Sequence, residues 1–237
     1  RDQRNAVVHF INDRGPCVSL AVLRANFPAM RRCELADRLT RYRTVCRRLF
    51  RTPMSRLTWV RSGAVWAMDF VQAPELIDGR FPFLLSIMDL ASRFTLLWCP
   101  VPSEDAATVQ THLAALFSAH GAPLVLKCDN GSAFLSDSMK ASLANWLVAG
   151  LYSPPRCPQY NGACERNNGC LKCQTHHAAL LASHADWWRS QDTATACATL
   201  NTTVRPWGHR GPTPAERWQT REPLSAEERT SFRTLLA

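Results

Sequence analysis

Three acidic residues stand where side chains of their type could act together. Asp69 lies inside an apolar, aromatic run (WAMDF, 66–70), Asp129 directly follows a second apolar run (PLVLKC, 123–128), and Glu165 sits in a segment of helical texture (NGACER, 161–166). Each is at or just past the end of an apolar run, and open sheets with parallel strands gather ligand-handling groups at strand carboxyl ends. Convergent carboxylates repel one another when ionised, and a hard oxygen-seeking cation such as Mg²⁺ or Mn²⁺ relieves that repulsion. A pair of such ions can activate an attacking oxygen and steady a leaving one in an in-line displacement at phosphorus. Any one of the acids alone is more simply a solvated turn or a cap, so the reading depends on spacing and neighbours.

The elements around them follow from apolar periodicity and turn signals. Residues 64–73 and 81–93 read as strands joined at Asp78-Gly79, and 94–101 as a third, together an antiparallel meander. Residues 104–120 read as a helix ending at Gly121, 123–128 as a buried strand, and 136–149 as a helix closed by Gly150. A brief strand at 151–153, a proline-rich loop, a long helix from about Asn161 and more helix over 186–204 complete the series. Strands and helices in that order predict an α/β fold with one mixed sheet. Residues 205–237 form a proline-rich tail with short helices such as 214–219.

The segments WAMDF (66–70), IMDLASR (87–93), CDNGSAF (128–134) and SPPRCPQYNGACER (153–166), in this order and with 35 residues between Asp129 and Glu165, resemble the catalytic core of DDE-family integrases and transposases. The resemblance covers about residues 64–204. It implies an RNase H-like core, a triad of Asp69, Asp129 and Glu165 holding two Mg²⁺ or Mn²⁺ ions, and cleavage of DNA followed by strand transfer. It also implies DNA, as element ends and target, for a partner, and a homo-oligomer in the synaptic complex. A nuclease that does not join strands, and a DNA-binding descendant that no longer catalyses, remain open on the same residues. No small-molecule cofactor or membrane partner is expected, and GxxxxGK[ST] is absent.

Around the triad, Gly131 would let the chain turn sharply after Asp129, and Asn130 would steady that turn. Asn130, Gln159 and Asn161 could contact DNA, with capping of the helix the alternative for Asn161. Lys172 shares a helical face with Glu165 and would project toward substrate phosphates, with a plain surface lysine the alternative. Asp89 is expected to be structural, pairing with Arg93. Cys170, Cys173 and His177 share a face, but a tetrahedral zinc site needs a fourth ligand, so these thiols are expected to face the core. Packing of the last helix on the sheet accounts for Trp187, Trp188 and Trp207.

Charge marks off the N-terminus. Residues 1–62 hold fourteen arginines against four acids, a balance of about +10 in a chain whose net charge is +9. Such a patch fits a polyanion-binding module. Residues 4–13, 19–26 and 31–51 read as three helices, and the last carries Arg38, Arg41, Arg47 and Arg48, which suggests a helix-turn-helix DNA-binding module over 1–52 with a linker at 53–63. Its His9, Cys17, Cys33 and Cys46 do not form the paired His and Cys pattern of the retroviral integrase zinc domain, which favours the bacterial insertion-sequence branch. A hydrophobic share of 46% with 20% charged residues excludes a largely disordered chain. The longest apolar stretch is broken by Asp89, and without a secretory signal the ten cysteines suggest reduced thiols in a soluble, cytoplasmic, nucleoid-associated protein.

Overall fold

The computed structural model describes residues 2–49, 58–154 and 158–236. The chain divides into two compact units, Arg1–Leu57 and Thr58–Ala237.

The first unit is built from α1 (Asp2–Arg14), α2 (Leu20–Asn26) and α3 (Arg32–Leu49). Ser19 caps α2 by accepting a bond from the Val22 amide, and Val7, Ile11, Leu23, Leu35 and Leu39 form the core. The basic face of α3 is not uniform. Arg43 donates to the Pro16 and Val18 carbonyls at 2.8 Å each and fastens α3 to the turn before α2. Arg38 and Arg41 pair with Glu34 and Asp37 one turn earlier, while Arg47 and Arg48 are exposed in the last turn. Arg51 and residues 53–57 of the expected linker lie outside the described residues.

The second unit is a five-stranded sheet in the order β3-β2-β1-β4-β5, with β1 (Val65–Ile77), β2 (Phe81–Asp89), β3 (Thr95–Val101), β4 (Val125–Cys128) and β5 (Ala149–Tyr152). The β1–β2 and β2–β3 pairs are antiparallel, and the β1–β4 and β4–β5 pairs are parallel. This is the expected mixed α/β sheet. Asp78 and Gly79 both take positive φ in the first hairpin, the backbone that a tight turn between twisted strands requires.

Alternation along β1 sorts the two faces. Trp66 and Met68 face a core closed by α4 (Ala106–His120) and α6 (Asp137–Asn145), and the one-turn α5 (Ser132–Leu135) precedes α6. Ala67, Val71 and Ala73 face α7 (Gly162–Leu181), α8 (Ser190–Thr203) and the Trp188 ring. The tail adds α9 (Pro214–Gln219), whose Trp218 stacks on Phe94, and α10 (Ala226–Leu236).

Several expectations shift in position or meaning. α4 begins two residues later than read, because Asp105 is its N-cap and accepts from the Thr108 amide, which leaves Glu104 outside the helix. Trp188 is buried, but Trp187 and Trp207 are 41% and 39% exposed and carry the Arg189 and Arg217 guanidiniums on their rings, so sheet packing explains only one of the three. Cys170 and Cys173 are exposed, not core-facing. The buried stripe of α7 is Cys164, Asn168, Leu171, Thr175 and Ala179, a face to which positions 170 and 173 do not belong. Asp89 is structural: it accepts from the Gly63 amide, the Ser92 amide and the Ser92 hydroxyl at 2.9, 2.7 and 2.6 Å. No helix among the described residues is long and apolar enough to cross a membrane.

Candidate active site

Register brings the two aspartates level. Ala67 of β1 pairs with Lys127 of the parallel β4, so Asp69 and Asp129, each two residues further on, lie side by side across strands about 4.8 Å apart. Asp69 is still within β1, while Asp129 follows the last residue of β4. Both line a cleft of about 180 Å³ with Phe70, Glu104, Gly131, Ser132, Ala133 and Phe134. Glu165 comes from the first turn of α7, where it is exposed and does not line that cleft.

Electrostatics tie the third acid to the pair. Burial, followed by the charges of Asp129 and Glu165, raises the Asp69 carboxyl to about 6. The Phe70 amide and the Asn168 side chain act in the other direction. Asn168 donates from Nδ2 to Asp69 Oδ2 at 3.0 Å, and its own Oδ1 is buried without a partner. Three hard oxygen donors, two of which weigh by their charge on Asp69, fit a divalent cation in donor type and in sign. Among the described residues, no three His, Cys, Asp or Glu side chains are gathered tightly enough to hold an ion. The match is therefore in chemistry and placement, with the carboxylates not drawn together.

The residues beside the triad take specific places. Asp129 Oδ1 accepts from the Gly131 amide at 2.9 Å, and Asn130 Nδ2 donates to the Ser153 carbonyl at 2.9 Å, so Asn130 ties the turn to the strand end of β5. Gly131 does not provide a left-handed turn, since its φ is −58°. Its value is proximity: a Cβ there would stand 3.0 Å from Asp129 Oδ1 and 3.4 Å from the Phe134 ring. Asn161 occupies the N-cap position of α7 but makes no capping bond, and its Oδ1 accepts from Lys127 Nζ at 2.9 Å instead. Gln159 falls in the 3-10 turn Pro158–Asn161, and its side chain lies outside the described residues. Lys172 is half-buried two turns along the helix from Glu165.

Sequence reasoning passed over three site residues. Glu104 was read as a helix-opening acid, and it lines the cleft with the aspartates. Asn168 carried a usable signal, since a polar residue one turn from Glu165 on an otherwise buried stripe asks for a polar partner on the sheet. Lys127, 6% exposed within β4, is the only lysine or arginine among the described buried residues, and a charge inside the apolar run VLKC was the sign of it.

Residues 60–158 match the family model of the integrase core domain. The chain is 30% identical over 110 residues to the Gag-Pro-Pol polyprotein of mouse mammary tumor virus, covering 46% of this chain and 6% of the polyprotein. It is 28% identical over 198 residues to the Gag-Pol polyprotein of baboon endogenous virus, covering 79% of this chain and 11% of that one. The chain thus spans a small part of the curated relatives it matches. Among solved structures, the magnesium complex of the HTLV-2 integrase catalytic core domain superposes with a TM-score of 0.54 at 19% identity, covering 67% of this chain and 97% of that chain. A chain of the simian T-cell lymphotropic virus intasome, in complex with a PP2A regulatory subunit, superposes at 0.60 and 18% identity, covering 88% of this chain and 76% of that chain. The second unit has the RNase H-like fold of integrase catalytic cores.

Proposed function

We propose that this chain is a DNA integrase of the DDE type, which cuts DNA and joins the cut end to a second DNA through Asp69, Asp129 and Glu165. The observation that carries the reading is the register of β1 on β4, which sets Asp69 beside Asp129 at the carboxyl end of β4, with Glu165 near enough for its charge to raise the Asp69 carboxyl. The integrase core domain match covers Asp69 and Asp129 and ends before Glu165, so the third acid rests on this geometry and on its spacing. The viral polyproteins among the relatives support the retroviral-type branch and lend nothing to the bacterial insertion-sequence branch.

Two Mg²⁺ or Mn²⁺ ions held by the three carboxylates would supply the Lewis acidity that polarises the attacked phosphate and lowers the pKa of the attacking oxygen. The residues of the chain do the rest. Asn168 holds the Asp69 carboxyl by its Oδ2, and the Gly131 amide holds Asp129 by its Oδ1, so each aspartate keeps a second oxygen for the ion. Asn130, Gln159, Asn161 and Lys172 would contribute contacts to the DNA. Arg38, Arg41, Arg47 and Arg48 on α3 supply contacts to phosphates, with Arg47 and Arg48 the least committed within the unit. Assembly on two DNA ends requires more than one copy of the chain.

The test is a set of isosteric variants. Asp69→Asn, Asp129→Asn and Glu165→Gln each abolish metal-dependent cleavage while DNA binding, measured by gel shift, stays within about threefold of wild type. Full cleavage by any one of them would show that the triad is misassigned.

A further inference from the structure

Lys127 is an unusual residue for its position. It belongs to a four-residue strand buried throughout, and its neighbours in the adjoining strands are Ala67 and Leu151. Like Val125, it points to the face covered by α7, where Cys164 packs. An ammonium in that setting is costly unless its hydrogens are met. They are met by the turn that leads into α7: Nζ donates to the Tyr160 carbonyl and, at 2.9 Å, to Asn161 Oδ1, and it lies 4.0 Å from the centre of the Tyr160 ring.

The Asn161 side chain is the second observation. Asparagine at an N-cap ordinarily accepts from an amide of the first turn and so stabilises the helix. Here that acceptor is turned away from the helix and onto Lys127. The start of α7 is therefore held by the sheet rather than by its own cap. Four residues further on is Glu165, and three beyond it Asn168 is bonded to Asp69 on the same face of the sheet. Glu165 thus lies between two polar fasteners, one to β4 and one to β1.

We propose that Lys127 is a positioning residue, which holds the Tyr160–Asn161 turn against β4 so that Glu165 is set at a fixed reach from Asp69 and Asp129. The role rests on the integrase reading for its consequence in catalysis, but the fastening itself can be measured without DNA. Lys127 meets Tyr160 and Asn161, both in the turn that leads into α7. It acts through the helix that carries Glu165.

The experiment compares the full chain with Lys127→Met, which keeps the length of the side chain and removes its donors, and with Lys127→Arg, which keeps the charge and donors. Hydrogen exchange is read at the amides of Arg166, Asn167 and Asn168, close to the start of α7. Mn²⁺ binding is read by electron paramagnetic resonance. In Lys127→Met, exchange at these amides accelerates about tenfold or more, as expected for loss of a charge-assisted bond, while β2 and β3 amides are unchanged. Mn²⁺ binding weakens about tenfold with DNA affinity unaltered, and Lys127→Arg recovers most of both. Unchanged exchange and Mn²⁺ affinity in a folded Lys127→Met protein would overturn the proposal, as would equal defects in the Met and Arg variants. If Lys127→Met does not fold, Asn161→Ala decides, because it removes one acceptor from a half-exposed turn: faster exchange and weaker Mn²⁺ binding support the role, and wild-type values refute it. A wild-type chain that joins no DNA would contradict the integrase reading alone, since the exchange data would still judge the fastening.

Discussion

Asp69 keeps a half-buried carboxyl beside two other acids, and its proton has a measurable effect on stability. Its pKa is raised to about 6 by burial first and then by Asp129 and Glu165, from an ordinary value of 3.8. Between those values the folded chain holds a proton that the unfolded chain has released, so stability falls as pH rises through the window and stays lower above it. Asp69→Asn has no charge to bury and should be more stable than wild type in EDTA at about pH 7.5, with the gain shrinking toward pH 4. Thermal denaturation at the two pH values checks this, and an equal difference at both would mean that the carboxyl is not under strain. The same reasoning explains why Mg²⁺ or Mn²⁺ should raise the melting temperature of wild type more than that of the variant.

At the scale of the element, the turn after β4 sets Asp129 by close approach. Because Gly131 has an ordinary φ of −58°, alanine there is allowed by the backbone, but its Cβ would meet Asp129 Oδ1 at 3.0 Å. Gly131→Ala should therefore leave stability within about 1 kcal/mol of wild type and still cut activity by about tenfold or more, since small misplacements of reacting groups are expensive. A variant that is fully active would show that the carboxylate has room to give. The antiparallel meander, the mixed sheet and the place of Asp69 within the first strand and of Asp129 just after the fourth were legible in the sequence because apolar runs and turn residues mark buried strands strongly. The partners within the site were harder to read. Asn161 sits where a cap belongs, and only the position of Lys127 on the neighbouring strand diverts it. Glu104 resembled a helix-opening acid because Asp105, the true cap, is its neighbour. Cys170 and Cys173 were placed on the core side because the stripe of α7 includes polar Asn168 and Thr175, which periodicity of apolar residues alone passes over. Asn168 is bonded to Asp69, and Thr175 accepts from the Trp98 indole at 3.0 Å.

At the scale of the molecule, charge is divided between a basic helical unit and a nearly neutral unit with the RNase H-like fold. The arginines of α3 differ in how far they are committed: Arg43 is spent on carbonyls within the unit, Arg41 pairs with Asp37 at an exposed position, and Arg47 and Arg48 stand in solvent. Replacing Arg41, Arg47 and Arg48 together by Ala should weaken DNA binding and reduce the slope of log K against log salt by about two to three, with little change in melting temperature. An unchanged slope would return these side chains to the role of a solvated face and move DNA binding elsewhere on the chain. The central claim is strand joining, and it is tested most directly by incubating the chain with Mg²⁺ or Mn²⁺, a labelled DNA ending in a free 3′-hydroxyl from its own element, and a supercoiled plasmid, with Glu165→Gln alongside. Joined product from wild type and none from Glu165→Gln is the expected result; nicking without joining, or equal product from both proteins, would contradict the account.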